Sequence, residues 1–373
     1  LRITLSLSLF FSLPATTIPL SCPSSTLCLS DTSDTARGGS NAACIAISQN
    51  TPNATPEGLA AFVSFTANTV TVNWSNAPAA AHKITVELYG GADLTVDVAI
   101  PTVNGTVDTA FTVTPGFAAD MVQVLYSDTL LGTDGYTDVW SRISRGVADW
   151  NGSSFDNYCS FNESEDNRGT SIINGTVRTG YCGYSMGGNE GLLIDNRTAT
   201  EYDITPKITG SGETAICIAM NFGGGSHKSG VYTTPTTAIA QGETVSFEPG
   251  MLVLLMNNYP AIDTIYSNSA NASTFGTALY DGTTSASMGW QDDDASGVTN
   301  SSSRANTGVD LADNVGAVEY TATPSFTSTT FSLSFSAVNG TAHKWIYIAL
   351  ETAAAAGGLS IPIVMHDQRM RRL

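Results

Sequence analysis

The chain has 373 residues, enough for two or three domains that each bury a core of their own, so disulfides are not required for folding. It carries 33 Asp plus Glu against 15 Lys plus Arg, and the formal net charge of −18 repels nucleic-acid phosphates and anionic membrane surfaces, excluding both as partners of the body of the molecule. Lysine is scarce while Thr, Ser, Gly, Val and aromatic residues abound, which favours strands and turns over helices and predicts an all-β protein.

Residues 1–44 read as an apolar, Ser/Thr-rich N-terminal arm. Ile3 to Leu13, after Arg2, has the character of a signal-peptide core and equally that of a packed strand; a transmembrane helix needs about twenty apolar residues. The six cysteines, Cys22, Cys28, Cys44, Cys159, Cys182 and Cys217, include no Cys-x-x-Cys pair, so metal-ligand spacing is absent. Cys22 and Cys28 could bridge in an oxidising compartment, and buried free thiols are the alternative in a reducing one.

An internal repeat organises the chain beyond this arm. Val70-x-Val72-x-Trp74, then Ala81-His82-Lys83 and a strand to Tyr89, matches Phe331-x-Leu333-x-Phe335, then Ala342-His343-Lys344 and a strand to Leu350, at an ungapped offset of 261 residues. A middle copy lies about halfway, at Tyr202-x-Ile204 and Ile216 to Met220. The opening half of the unit repeats too: Pro101 and Pro115 recur as Pro235 and Pro249, both at a spacing of 134. The chain therefore divides into a partial unit over 45–91, two full units over 92–224 and 225–351, and a linker with a basic arm over 352–373.

Within each unit apolar residues alternate with Ser, Thr or Asp, and Gly, Asn and Pro punctuate the strands. Val70, Val72 and Trp74 point one way while Thr71 and Asn73 point the other, one face in a core and one face wet. The expected fold is tandem β-sandwich or jelly-roll units with an internal repeat of about 130 residues. The partial unit lacks an opening half, so residues 1–68 either form a degenerate one or leave an open sheet edge for another chain to cover by strand donation.

These landmarks resemble a group of tandem sandwich proteins encoded among the virion genes of tailed bacteriophages, especially marine ones. Their units carry a G-F-x-P-D-hydrophobic strand and close with F-x-L-x-W and an aliphatic strand ending in A-L. Thr114 to Asp120 holds the first landmark with Ala119 where Pro is usual, Glu248 to Met251 holds a copy without the Asp, and Val70 to Trp74 and Ile346 to Leu350 hold the closing ones. The resemblance spans roughly residues 60 to 351 and rests on core and turn positions. It implies a virion component, in capsid decoration or tail, whose partners are copies of itself and other virion proteins; it brings no catalytic residues.

Several residue patterns carry candidate chemistry. Gly183-Tyr184-Ser185-Met186-Gly187 fits the hydrolase nucleophile elbow, which requires a strand-to-helix turn; no helical period comes after it, and a non-enzyme is expected. Acidic clusters at Glu163, Glu165 and Asp166 and at Asp292, Asp293 and Asp294, each two residues beyond an aromatic, read as loops that could hold Ca²⁺ or form a solvated rim; no other cofactor is implied. Trp140, Trp150 and Trp290 read as exposed aromatics near loops that could stack on a host-surface glycan, or as caps on sandwich cores. His82-Lys83 and His343-Lys344 read as paired polar turns. Ten Asn-x-Ser/Thr sequons are spread through the chain. Arg369, Arg371 and Arg372 come after a short apolar strand ending at Met365 and read as an assembly arm docking on an acidic neighbour. The expectation is a virion structural protein on an extracellular particle, with a secreted glycan-binding adhesin or a cell-surface filament subunit as the alternatives.

Overall fold

The computed structural model describes residues 4–8, 45–47, 58–65, 70–77, 83–87, 94–103, 106–127, 140–165, 173–185, 190–207, 214–268, 273–293, 300–306, 308–312, 318–351 and 365–366. Among these every regular element is a strand. The first five are β1 (Thr4–Ser8), β2 (Ile45–Ile47), β3 (Gly58–Phe65), β4 (Val70–Asn76) and β5 (Lys83–Glu87). The next ten are β6 (Thr95–Ala99), β7 (Phe111–Val113), β8 (Met121–Ser127), β9 (Trp140–Trp150), β10 (Phe155–Glu165), β11 (Ile173–Thr179), β12 (Gly183–Ser185), β13 (Glu190–Arg197), β14 (Tyr202–Pro206) and β15 (Thr214–Asn221). Eleven more are β16 (His227–Thr233), β17 (Ala240–Thr244), β18 (Pro249–Asn257), β19 (Tyr266–Asn268), β20 (Ser273–Tyr280), β21 (Ser285–Asp293), β22 (Asn300–Asn306), β23 (Val309–Ala312), β24 (Val318–Phe326), β25 (Thr330–Ala337) and β26 (Lys344–Glu351); β27 is Met365–His366.

The strands form two sandwiches with one plan. The first has a large sheet ordered β6-β15-β8-β9-β10-β11 and a small sheet ordered β7-β14-β13-β12; the second has β16-β26-β18-β20-β21-β22 and β17-β25-β24-β23. Place for place the orders coincide. In each, the first strand pairs antiparallel with the last, and the second with the last but one, so each unit closes on itself. The short β19 is the exception: it leaves the second unit to extend the large sheet of the first, pairing Tyr266 with Gly175 and Asn268 with Ile173 on β11. The sheet β4-β3-β2 has the order of β25-β24-β23, while β5 lies between β1 and β27.

Each sandwich has its own core. Val122, Val124 and Tyr126 of β8 meet Leu192 and Ile194 of β13 and Tyr202 and Ile204 of β14 in the first; Leu252, Leu254, Trp345 and Tyr347 meet Tyr320, Phe331 and Leu333 in the second. A third core lies between the two large sheets, where Met121, Val147, Val177, Ile218 and Met220 pack on Met251, Val253, Leu255, Ile346, Ile348 and Leu350. The two sandwiches are thus layered small sheet, large sheet, large sheet, small sheet. This corrects the expectation of one wet face per strand. On β18, Met251, Val253 and Leu255 face the other large sheet while Leu252, Leu254 and Met256 face their own small sheet, so the strand is apolar on both sides. Strands buried on both faces read as continuous apolar runs, and each fully buried Leu, Ile, Val or Met contributes about 1.5–3 kcal/mol of transfer free energy. Alternation with one wet face holds for the small sheets, as on β25, where Phe331, Leu333 and Phe335 are buried and Ser334 and Ser336 exposed.

Candidate functional site

The third core is crossed by a seam of buried polar side chains, and it is the most elaborate constellation among the described residues. Asp149, near the end of β9, is buried; its Oδ2 accepts the Ser229 backbone N–H at 2.6 Å and the Ser229 hydroxyl at 3.0 Å, and its Oδ1 stands 2.5 Å from His227 Nδ1. Ser229 and His227 lie on β16, the edge strand of the other large sheet. An edge strand carries outward N–H groups that invite another chain; here the carboxylate of the facing sandwich occupies one of them. His227 also packs on Phe222, with ring centroids 5.0 Å apart.

Further along the seam Arg145 of β9 reaches Gln123 Oε1 at 3.1 Å and Thr277 Oγ1 on β20 at 3.4 Å. Asn257 donates to Ser160 Oγ at 3.3 Å, and the Tyr259 hydroxyl lies 3.0 Å from Asn162 Oδ1. Trp345 Nε1 donates to the Asn257 carbonyl at 2.9 Å. Gly175 is required here by space: a Cβ on it would fall 1.7 Å from the Tyr259 hydroxyl. Beyond Tyr259 the chain is held to β11 by Asp263, whose carboxylate accepts the Thr179 backbone N–H at 2.9 Å and hydroxyl at 2.6 Å. Buried polar groups are tolerated only when partnered, and such networks fix geometry more than they add stability. Chemically the seam sets the orientation of one sandwich on the other.

A second polar cluster closes the top of the second sandwich. His343 is buried; its backbone N–H donates to Thr234 Oγ1 at 2.8 Å and its carbonyl accepts Thr234 N–H at 2.9 Å. Its Nδ1 lies 3.5 Å from Glu319 Oε1, which Asn339 Nδ2 approaches to 2.6 Å. Burial pulls the imidazole down to a pKa of about 4. The residue read from sequence as a polar turn is therefore a core position.

The structure also places the remaining sequence candidates. Gly183–Ser185 is an antiparallel strand paired with β13 at Glu190 to Leu192, where an elbow would need a strand-to-helix turn. Of the histidines later in the chain than Ser185, His227 is engaged by Asp149, His343 is buried with its Nδ1 3.5 Å from Glu319, and His366 lies on β27 opposite Ile84. Glu163 and Glu165 belong to β10, and Asp292 and Asp293 to β21, so these clusters begin on strands rather than loops. Glu163 is buried and takes a hydrogen bond of 2.8 Å from Asn174, which removes it from a solvated rim. Asp166, Asp294, Arg369, Arg371, Arg372, His82, Cys22, Cys28 and Cys44 lie outside the described residues. No group of three or more His, Cys, Asp or Glu side chains among the described residues has metal-holding geometry.

Trp140 opens β9 and Trp290 lies on β21. Trp150 is half-buried, with Phe155 edge-on at 5.2 Å and the Arg197 guanidinium 5.0 Å above its ring, so it is a core cap rather than an open stacking platform. Arg197 is in turn held by Asp120 at 2.6 Å, and Asp120 Oδ2 accepts the Phe222 N–H at 2.9 Å. Sequence reasoning missed Asp149, Ser229 and Arg145; the signal available was a charged or polar residue set within strands otherwise made of apolar runs. Of the sequons, Asn162 and Asn174 are buried. Comparison with protein-family models, curated proteins and solved structures gave no match.

Proposed function

We propose that this chain is a structural subunit of a virion, in capsid decoration or tail, and that it acts by packing and subunit contacts rather than by chemistry. One observation carries the reading: the two sandwiches spend both faces of their large sheets on cores, and the polar residues between them are engaged in orienting one sheet on the other. A module built to bind would leave such a face open; a building block gains from rigidity. The landmark Asp120 supports the phage component of the reading, because it works as a brace linking Arg197 and the Phe222 backbone at the junction between units. The acidic charge of −18 fits a densely displayed surface that has to stay soluble. Partners are further copies and neighbouring virion proteins, on an extracellular particle.

The glycan-binding alternative rests on exposed tryptophans, and Trp150, covered by Arg197, gives it no support. Sedimentation velocity and negative-stain electron microscopy of the purified full chain test the proposal. A discrete oligomer of fixed copy number is expected, and single copies at every concentration would overturn it.

A further inference from the structure

The described strands over residues 58–87 match strands of the second sandwich in order. At the offset of 261 residues, Lys83 and Lys344 open β5 and β26, Phe65 and Phe326 close β3 and β24, and β4 falls within β25. In both complete sandwiches the closing strand lies between two antiparallel strands of its own unit: β15 between β6 and β8, β26 between β16 and β18. Their counterpart β5 has no such neighbours among the described residues. On one side it takes β27, antiparallel, pairing Thr85 with Met365 and Ile84 with His366; on the other it takes β1, the one parallel strand pair among the described residues.

We infer that β27 is an exchangeable strand, and that in the assembled protein the place beside β5 is filled by β27 of a second copy of this chain. The inference rests on the proposed assembly role. In the single chain β27 spans two residue pairs, against seven for β16 on β26, so few hydrogen bonds hold it and all of them are regained in trans. Exchange of an identical element is a low-cost route to linked subunits. Thirteen residues separate Glu351 from Met365, and at roughly 3.4 Å each they can span about 45 Å. A tether of that length gives an effective concentration in the millimolar range, which side-by-side copies in an assembly equal while also joining one copy to the next. Arg369, Arg371 and Arg372 follow β27 after Asp367 and Gln368, and the strongly acidic surface of a neighbouring copy attracts this end as well as its own chain does.

Cross-linking across the β5–β27 pair tests this in the full chain. Thr85→Cys and Met365→Cys are made as separate variants, mixed, oxidised and run on a non-reducing denaturing gel beside the wild-type chain, which controls for the native cysteines. A covalent dimer that needs both variants is expected, since that bond can form only between copies. The pair Ile84→Cys and His366→Cys repeats the test at the neighbouring register position. If neither mixture gives the dimer, the exchange is overturned. Sedimentation of the same samples separates the two ideas: assembly without the cross-link removes strand exchange alone, while single copies remove the assembly role as well.

Discussion

Ser229 of the second sandwich donates two hydrogen bonds to one carboxylate oxygen of Asp149 in the first, from its backbone N–H at 2.6 Å and its hydroxyl at 3.0 Å. The two residues are 80 positions apart, and the bonds cross between separate sheets. A carboxylate buried this deeply is stable only because each oxygen has a partner, and removing it leaves an outward edge-strand N–H without one.

Asp149→Ala is therefore expected to cost about 3 kcal/mol, the range for breaking one side of a buried charged hydrogen-bond network. Asp149→Asn, which keeps an acceptor oxygen, should cost less. Chemical denaturation monitored by tryptophan fluorescence would rank the two. Equal stability of Asp149→Ala and wild type would mean the seam does not join the sandwiches.

Gly175→Ala should be damaging out of proportion to one methyl, because the added carbon meets the Tyr259 ring and hydroxyl. Overpacking of this kind costs about 1–3 kcal/mol. The double variant Gly175→Ala, Tyr259→Ala should be strongly non-additive, as the second change removes what the first collides with. Melting temperatures of the four species measure the coupling, and simple additivity would contradict the contact.

The predictable part of the architecture was local. Alternation in Phe331-x-Leu333-x-Phe335 announced a half-buried strand, and β4, β5, β25 and β26 lie where the apolar patterns put them. The unbroken runs Met251 to Met256 and Trp345 to Leu350 also carried the news that the large sheets are covered on both sides. Which surface covers them was not readable, because back-to-back packing depends on matching two faces far apart in sequence. The same holds for Asp149 and Ser229: each is an ordinary polar residue in its own strand, and only their meeting makes a seam.

The buried His343 predicts an acid-sensitive second sandwich. Its folded pKa of about 4 lies below the 6.5 of an unfolded histidine, so above pH 6.5 neither state binds a proton and no penalty exists. Between pH 6.5 and 4 the unfolded chain takes up a proton that the folded one refuses, and stability falls by about 3 kcal/mol across that window at 1.36 kcal/mol per pH unit. Comparing the pH dependence of unfolding in wild type and His343→Asn isolates this contribution; an unchanged slope would contradict the assignment.

Cys159, Cys182 and Cys217 are free and buried, and burial pushes the thiols of Cys159 and Cys217 up to about 12 and that of Cys182 well above its usual range. The thiolate is the reactive form, so iodoacetamide at about pH 8 should leave all three unmodified in the native protein and alkylate them after denaturation. Peptide mass spectrometry reads the sites, and native-state labelling of any of the three would show its sandwich core to be open.

The two sandwiches are committed to each other through the faces of their large sheets. Scanning calorimetry of the wild-type chain beside Asp149→Ala tests that most directly. A single transition covering both sandwiches, which separates into two when Asp149 is removed, is the predicted result. Two independent transitions already present in the wild type, unmoved by the substitution, would contradict it.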